Sequence, residues 1–441
     1  MSKLQRVENR VGEDVFGLTL PSGLRVTLVP KRGFSKTFGV FATNFGSADN
    51  GFVDPRSGER MTVPDGVAHF LEHKLFEDEQ GDVSDRFSEL GASCNASTSF
   101  TITSYIFSAT RNVEACVDLL LQFVQNPHFT EELVRKEQGI IGQEIRMYDD
   151  DPSWRIFFNL LGALYRSHPV RISIAGTEQS IARVDPEVLH TCYRAFYRPA
   201  NMAFTLVGRF DAEEIAERIA RDQAGREDLP PGQASRVPVD DGPIRESEAC
   251  QEMDVALPKL LIGYKDRIQP GDGIDLARRD LLSGIALDLM FGRSSEAHER
   301  LYAEGLIDDS FSADYTADID FGFAMVGGDT EQPEQLEQRL LAEVERFLEA
   351  GCPTSDFERV RNKFQGKFVG MFDSLEATAH AFSGGVFRGV QPFDLLEILE
   401  GLEPEQVGER ARAMLCDSLR ARSLVLPRSG APSNTPSNGA P

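Results

Sequence analysis

The chain is short of cysteine and of basic residues, and it has no long apolar run. Six cysteines occur in 441 residues (94, 116, 192, 250, 352 and 416), with no Cys-x-x-Cys pair among them. That excludes a disulfide-framed scaffold, and the thiols read as reduced packing residues of a cytoplasmic protein. No apolar stretch approaches the ~20 residues that span a bilayer, so no membrane is expected as a partner. The opening MSKLQRVENRVGEDVF lacks the apolar core of a signal peptide. Lys and Arg number 46 against 70 Asp and Glu, a net charge of −24. A nucleic-acid partner is thereby excluded, since phosphate binding needs clustered Lys and Arg. The acidity reads first as solubility, and second as a field that steers basic peptides inward.

What is present is concentrated. The chain has 7 histidines, and two of them fall in His69-Phe70-Leu71-Glu72-His73. On a helix, positions i and i+4 put two imidazoles on one face, roughly 5–6 Å apart at Cβ. Zinc takes nitrogens at about 2.0–2.1 Å, so both rings can reach one ion. Glu72 lies on the flank of that face, where a base is useful, and Phe70 and Leu71 point away to anchor the helix. The order His-x-x-Glu-His reverses the commoner zinc-protease helix motif. Pro64-Asp65-Gly66 before it offers a turn with Asp65 as cap, and Val67, Phe70, Leu71 and Leu75 form a buried stripe.

Two histidines leave the site incomplete, because catalytic zinc takes three protein ligands and keeps a position for water. The third should be a Glu, Asp, His or Cys from another element. Glu131 to Tyr148 is the best candidate segment, with Leu133, Ile140, Ile141, Ile145 and Met147 at helical spacing. Glu137 and Glu144 stand two turns apart on it and project from one side. Taken singly, each is an ordinary surface glutamate.

Together, HFLEH, the Asn95-Ala96-Ser97-Thr98 run and the paired glutamates resemble the pitrilysin/insulinase family of inverted-motif zinc peptidases. GVAHFLEHKLFE and KEQGIIGQEIRMYDDDP are especially similar to its YmfH-like short bacterial branch. The resemblance runs from about Leu24 to Val425. It implies one Zn2+ ion held by His69, His73 and Glu144, with Glu72 as general base and Glu137 as a carboxylate behind the ligands. It implies that Asn95 and Ala96 belong to an edge strand along which an extended peptide lies. The implied fold is α+β: two homologous lobes, each an antiparallel-rich sheet packed with helices, as in pitrilysin and the mitochondrial processing peptidase.

The length suits two domains of about 200 residues. Residues 1–228 read as the catalytic zinc lobe, 229–244 as a Pro/Gly-rich linker, 245–426 as a non-catalytic homologous lobe, and 427–441 as a disordered tail. Strands are expected at 24–29, 38–45 and 94–108 in the first half, and at 260–264 and within 310–328 in the second. A repeat supports the two lobes. Thr130-Glu131-Glu132-Leu133 aligns with Thr354-Ser355-Asp356-Phe357, which sets Glu137 against Arg361 and Glu144 against Phe368. FSGGVFRG (382–389) reads as a loop and VGGDT (326–330) as a strand end, neither fitting a phosphate cradle. His128, His168, His190, His298 and His380 are isolated and read as packing or surface.

One departure from the family pattern matters. Family members place an Arg and a Tyr together in the inactive lobe to hold the substrate carbonyl. Here the corresponding stretch is Ala303-Glu304-Gly305-Leu306-Ile307-Asp308, with Arg300 and Tyr302 off the usual interval. The donors are therefore expected from a second chain, in a homodimer or in a heterodimer with a homologous two-lobe subunit. The expected activity is zinc endopeptidase cleavage of short or unfolded peptides. The alternatives are a non-catalytic scaffold subunit of the same fold, which predicts a broken ligand set, and a zinc hydrolase acting on non-peptide bonds.

Overall fold

The apolar runs of the first half assemble into a seven-stranded sheet. Its order is Gln5–Arg6, Phe16–Thr19, Arg25–Pro30, Met202–Gly208, Thr37–Thr43, Thr103–Ala109 and, at the free edge, Ala92–Thr98. The computed structural model describes residues 4–54, 57–224, 226, 235–236, 242–268 and 271–428. All pairings in this sheet are antiparallel except that of Met202–Gly208 with Arg25–Pro30. The second half builds a five-stranded sheet in the order Glu248–Met253, Arg420–Pro427, Lys259–Lys265, Gly322–Asp329 and Ser312–Ala317. Its one parallel pair is Glu248–Met253 with Arg420–Pro427.

The two sheets share a plan. In each, the last strand in sequence inserts between the first two of the common core, parallel to one and antiparallel to the other. In each, the third strand ends up at the edge. The protein is thus two lobes of one topology. The helix Glu131–Asp150 follows the edge hairpin of the first lobe, and Thr354–Met371 stands after its counterpart in the second. Phe368, aligned with Glu144, is buried against the first lobe's sheet, and the Arg361 guanidinium lies over the Phe357 ring at 5.2 Å.

Each lobe covers the other's sheet. The helix Pro152–Leu164 leaves the first lobe and packs Phe158, Leu160, Leu161 and Leu164 against Phe321, Phe323 and Ala421 of the second sheet. The helix Leu375–Arg388 returns the favour, setting Leu375, Ala379 and Phe382 against Phe38, Val40, Ala42 and Val207. Each such side chain, fully buried, contributes about 1.5–3 kcal/mol. Gly263 makes one approach possible: a Cβ there would lie 2.8 Å from Leu160 Cδ2.

Three local expectations are corrected. Residues 382–389 are not a loop but the end of the helix Leu375–Arg388, because burial against the other lobe outweighs the low helix propensity of two glycines. The 94–108 stretch is a hairpin of two strands, not one. Its turn is closed by Ser99 N–H donating to the Ile102 carbonyl (2.8 Å), with no Gly, Pro or Asn to mark it in the sequence. Asp65 does not cap the motif helix; it accepts from Asn50 Nδ2 (2.7 Å).

Of the segment read as a linker, Ser235–Arg236 pairs with Gly51–Val53; most of the remainder, and residues 429–441 of the tail, lie outside the described residues. Arg236 clasps the lobes. Its Nε donates to Asp49 Oδ1 of the first (2.8 Å) and its Nη1 to Asp320 Oδ1 of the second (2.7 Å). All three side chains are largely buried, so removing the guanidinium takes away the cation that Asp49 and Asp320 share, leaving Asp320 with His168 Nε2 at 3.5 Å and Asp49 with the Gly46 N–H. Arg236→Met is expected to cost about 3–5 kcal/mol of stability, read by denaturant unfolding.

Candidate metal centre

The motif helix, Val67–Leu75, starts at Gly66, whose backbone is left-handed (φ 86°). A Cβ there would meet the Ala175 carbonyl oxygen at 2.4 Å, so glycine permits the contact that anchors the helix start. Phe70, Leu71 and Leu75 enter the first lobe's core, and His73 is the one residue of the helix that is not buried. Opposite runs the helix Glu131–Asp150. The Thr130 hydroxyl accepts from Leu133 N–H (3.3 Å), and Glu131 and Glu132 in the first turn suit the helix dipole. Burial of Ile141 and Ile145 turns the Glu137 and Glu144 row towards the motif helix.

His69, His73 and Glu144 converge. Each offers a ligand atom within 4.8 Å of the other two, the one such group among the described residues. His69 Nε2 stands 3.6 Å from Glu144 Oε1, and His73 Nε2 stands 3.5 Å from Glu144 Oε2. Ligands about 2.0–2.1 Å from a tetrahedral zinc lie roughly 3.3–3.4 Å apart, so the donor set fits that ion. Burial, then the neighbouring His73, pushes the His69 pKa down to about 4, which keeps its ring neutral and its lone pair available. The His69 Nδ1 is buried and has no hydrogen-bond partner among the described residues.

His73 is oriented from behind. Its Nδ1 lies 3.0 Å from Glu137 Oε1, and an N–H donated there leaves Nε2 facing Glu144. Burial works against the His73 imidazolium, but Glu137, Glu72 and Glu144 together raise its pKa. Burial would likewise raise Glu137, yet His73 and Lys74 hold it below the ordinary carboxylate range. Glu72 is buried, and desolvation raises its pKa against the opposing hydrogen bond donated by Thr98. That hydroxyl belongs to the last residue of the edge strand Ala92–Thr98.

Asn95 and Ala96 sit on this same strand. Asn95 is exposed, and its Oδ1 accepts the Ala96 N–H (2.9 Å), which therefore points off the sheet rather than into the ladder. Among the described residues no strand pairs with the outer side of this edge, and its last residue touches Glu72. Arg300 and Tyr302 are elsewhere engaged or outlying: Arg300 is paired with Glu343 (2.7 Å) and Glu296 (3.3 Å), and Tyr302 stands 61% exposed in the second lobe.

Three residues at the site escaped the sequence reading. Tyr148 donates to Glu144 Oε1 (2.7 Å) and stacks on Trp154, ring centroids 4.4 Å apart. Its position four residues after Glu144 on a helix was a usable signal. Thr98 faces Glu72 from the alternation of the edge strand, visible only once the strand is delimited. Lys74, fully buried, had no signal, since lysine is almost always exposed.

A family model described as Insulinase (Peptidase family M16) matches residues 56–178, and one described as Peptidase M16 inactive domain matches residues 183–364. The chain is 42% identical over 399 residues to the "Uncharacterized zinc protease YmfH" of Bacillus subtilis (strain 168), covering 90% of this chain and 92% of that protein. The chain belongs to peptidase family M16, the insulinase family. A crystal structure of an M16-like peptidase from Alicyclobacillus acidocaldarius superposes on this M16 protein with a TM-score of 0.92 at 36% identity, covering 96% and 100% of the two chains. Pitrilysin shares the fold at 16% identity with a TM-score of 0.76, and this M16 chain spans 47% of its length. The inactive-domain match begins before Met202–Gly208, a strand that here completes the first sheet.

Tyr148→Phe removes one hydrogen bond from the Glu144 carboxylate while keeping the ring stack. We expect zinc affinity to fall about tenfold, measured by competition with a chromophoric chelator.

Proposed function

We propose that this M16 protein is a zinc-dependent endopeptidase of short or unfolded peptides, acting in the cytoplasm. One observation carries the reading: the buried Glu72 carboxylate beside the His69/His73/Glu144 group is hydrogen-bonded to the last residue of a free sheet edge. A base, a metal-type donor set and a backbone-binding strand therefore meet at one point.

The edge strand supplies substrate binding. An extended peptide adds to Ala92–Thr98 by main-chain hydrogen bonds, displacing Asn95 Oδ1 from the Ala96 N–H, and such pairing is tolerant of side-chain identity. His69, His73 and Glu144 would hold a zinc ion, which would supply Lewis acidity and bring the pKa of water towards about 7. Glu72 takes the proton from the attacking water and returns it to the leaving amine. Thr98 holds one Glu72 oxygen, which leaves the other for that transfer. Glu137 keeps the His73 ring in place. A scaffold role predicts a broken donor set, whereas all five residues of the motif are present and adjacent.

The Arg300 guanidinium is occupied within its own lobe, so the substrate-carbonyl donors come from a partner, a second copy or a homologous two-lobe subunit. In support, the chain spans about half the length of pitrilysin.

Glu72→Gln is expected to retain zinc while kcat on a peptide library falls about 10²–10⁴-fold. Retained cleavage in that variant sinks the assignment of the base. For the partner, size-exclusion and peptide digestion are run on the chain alone and mixed with a homologous subunit. Full activity in an isolated monomer would contradict the need for one.

A further inference from the structure

Lys74 follows His73 directly and is fully buried, one of the largest side chains in the protein with no solvent contact. A lysine is buried this way only when its charge is paired. Its Nζ donates to Glu77 Oε2 (2.8 Å) and to Glu137 Oε2 (3.4 Å). The other Glu137 oxygen is the one 3.0 Å from His73 Nδ1. Glu77 in turn takes Lys136 (3.1 Å), the residue before Glu137 on the opposite helix. Two lysines and two glutamates thus form a chain, Lys136–Glu77–Lys74–Glu137, between the end of the motif helix and the carboxylate helix, and His73 hangs from its Glu137 end.

We infer that Lys74 is a positioning residue of the metal site: its buried charge fixes Glu137 so that Glu137 can fix His73. The reasoning is electrostatic. Glu72, Glu137 and Glu144 crowd three carboxylates into one partly desolvated region, and like charges there repel strongly. Lys74 is the cation that reaches the innermost of them. Without it Glu137 is left buried and uncompensated, and its cheapest response is to turn towards water, away from Nδ1. The His73 ring then loses the acceptor that sets its orientation. This inference rests on reading His69, His73 and Glu144 as ligands.

The test measures zinc affinity of the full chain by chelator competition, a readout that a purely structural ion pair would leave unmoved. Wild type is expected to take up one zinc. No uptake overturns the ligand reading itself, a failure distinct from the one below. Lys74→Met is expected to bind zinc about 10–100-fold more weakly, as Glu137→Gln does. The double variant Lys74→Met/Glu137→Gln should be within about twofold of Glu137→Gln alone, because one residue acts through the other. Lys74→Gln, which removes the charge but keeps a polar head group in the buried position, carries the same reading if the methionine variant does not fold. Zinc affinity within about twofold of wild type in a folded Lys74 variant overturns the proposal. So does a double variant weakened by the sum of the two single effects.

Discussion

Desolvating several ionisable groups at one point is costly unless each finds a counterpart, and that constraint organises the region around His73. Glu137 needs Lys74, Lys74 needs Glu77, and Glu77 takes Lys136. These pairings hold two helices from distant parts of the sequence at a fixed separation. Across these helices the Glu144 oxygens stand 3.6 Å from His69 Nε2 and 3.5 Å from His73 Nε2. Glu72, on the same helix, is brought under the end of the edge strand by the same docking. The convergence of His69, His73 and Glu144, and the contact of Glu72 with the edge strand, are therefore tied to one buried charge arrangement.

Much of this was legible in the chain before any coordinates. The His69/Glu72/His73 spacing carried its own geometry, since i and i+4 on a helix admit few alternatives. The choice between Glu137 and Glu144 came from the family pattern rather than from spacing, because both face the same way. What stayed hidden shared a physical cause. The helices Pro152–Leu164 and Leu375–Arg388 are specified by a face in the other lobe, and local periodicity cannot show a partner that distant. Gly384 and Gly385 disguised the second of them as a loop. The turn at 99–102 lacked marker residues, so two strands read as one. Lys74 was invisible because its identity argues for the surface.

The comparison between lobes shows how one scaffold hosts two outcomes. Both sheets insert their last strand in the same way, and both follow the edge hairpin with a paired helix. In the second lobe the residue aligned with Glu144 is Phe368, which contributes apolar packing to the interface with the first lobe. The position held by Glu144 in one copy holds a buried phenylalanine in the other, while that of Glu137 holds the partly buried Arg361.

The crossed helices also bear on synthesis. The apolar face formed by Phe38, Val40, Ala42 and Val207 is covered by Leu375–Arg388. While the ribosome makes the intervening residues, that face has no mate, and the first lobe emerges with one side of its sheet bare. A domain that ordinarily folds first as it leaves the ribosome must here wait for the end of the chain. Between Gly208, which completes that sheet, and Leu375, which begins its cover, the nascent protein is a half-clad sheet.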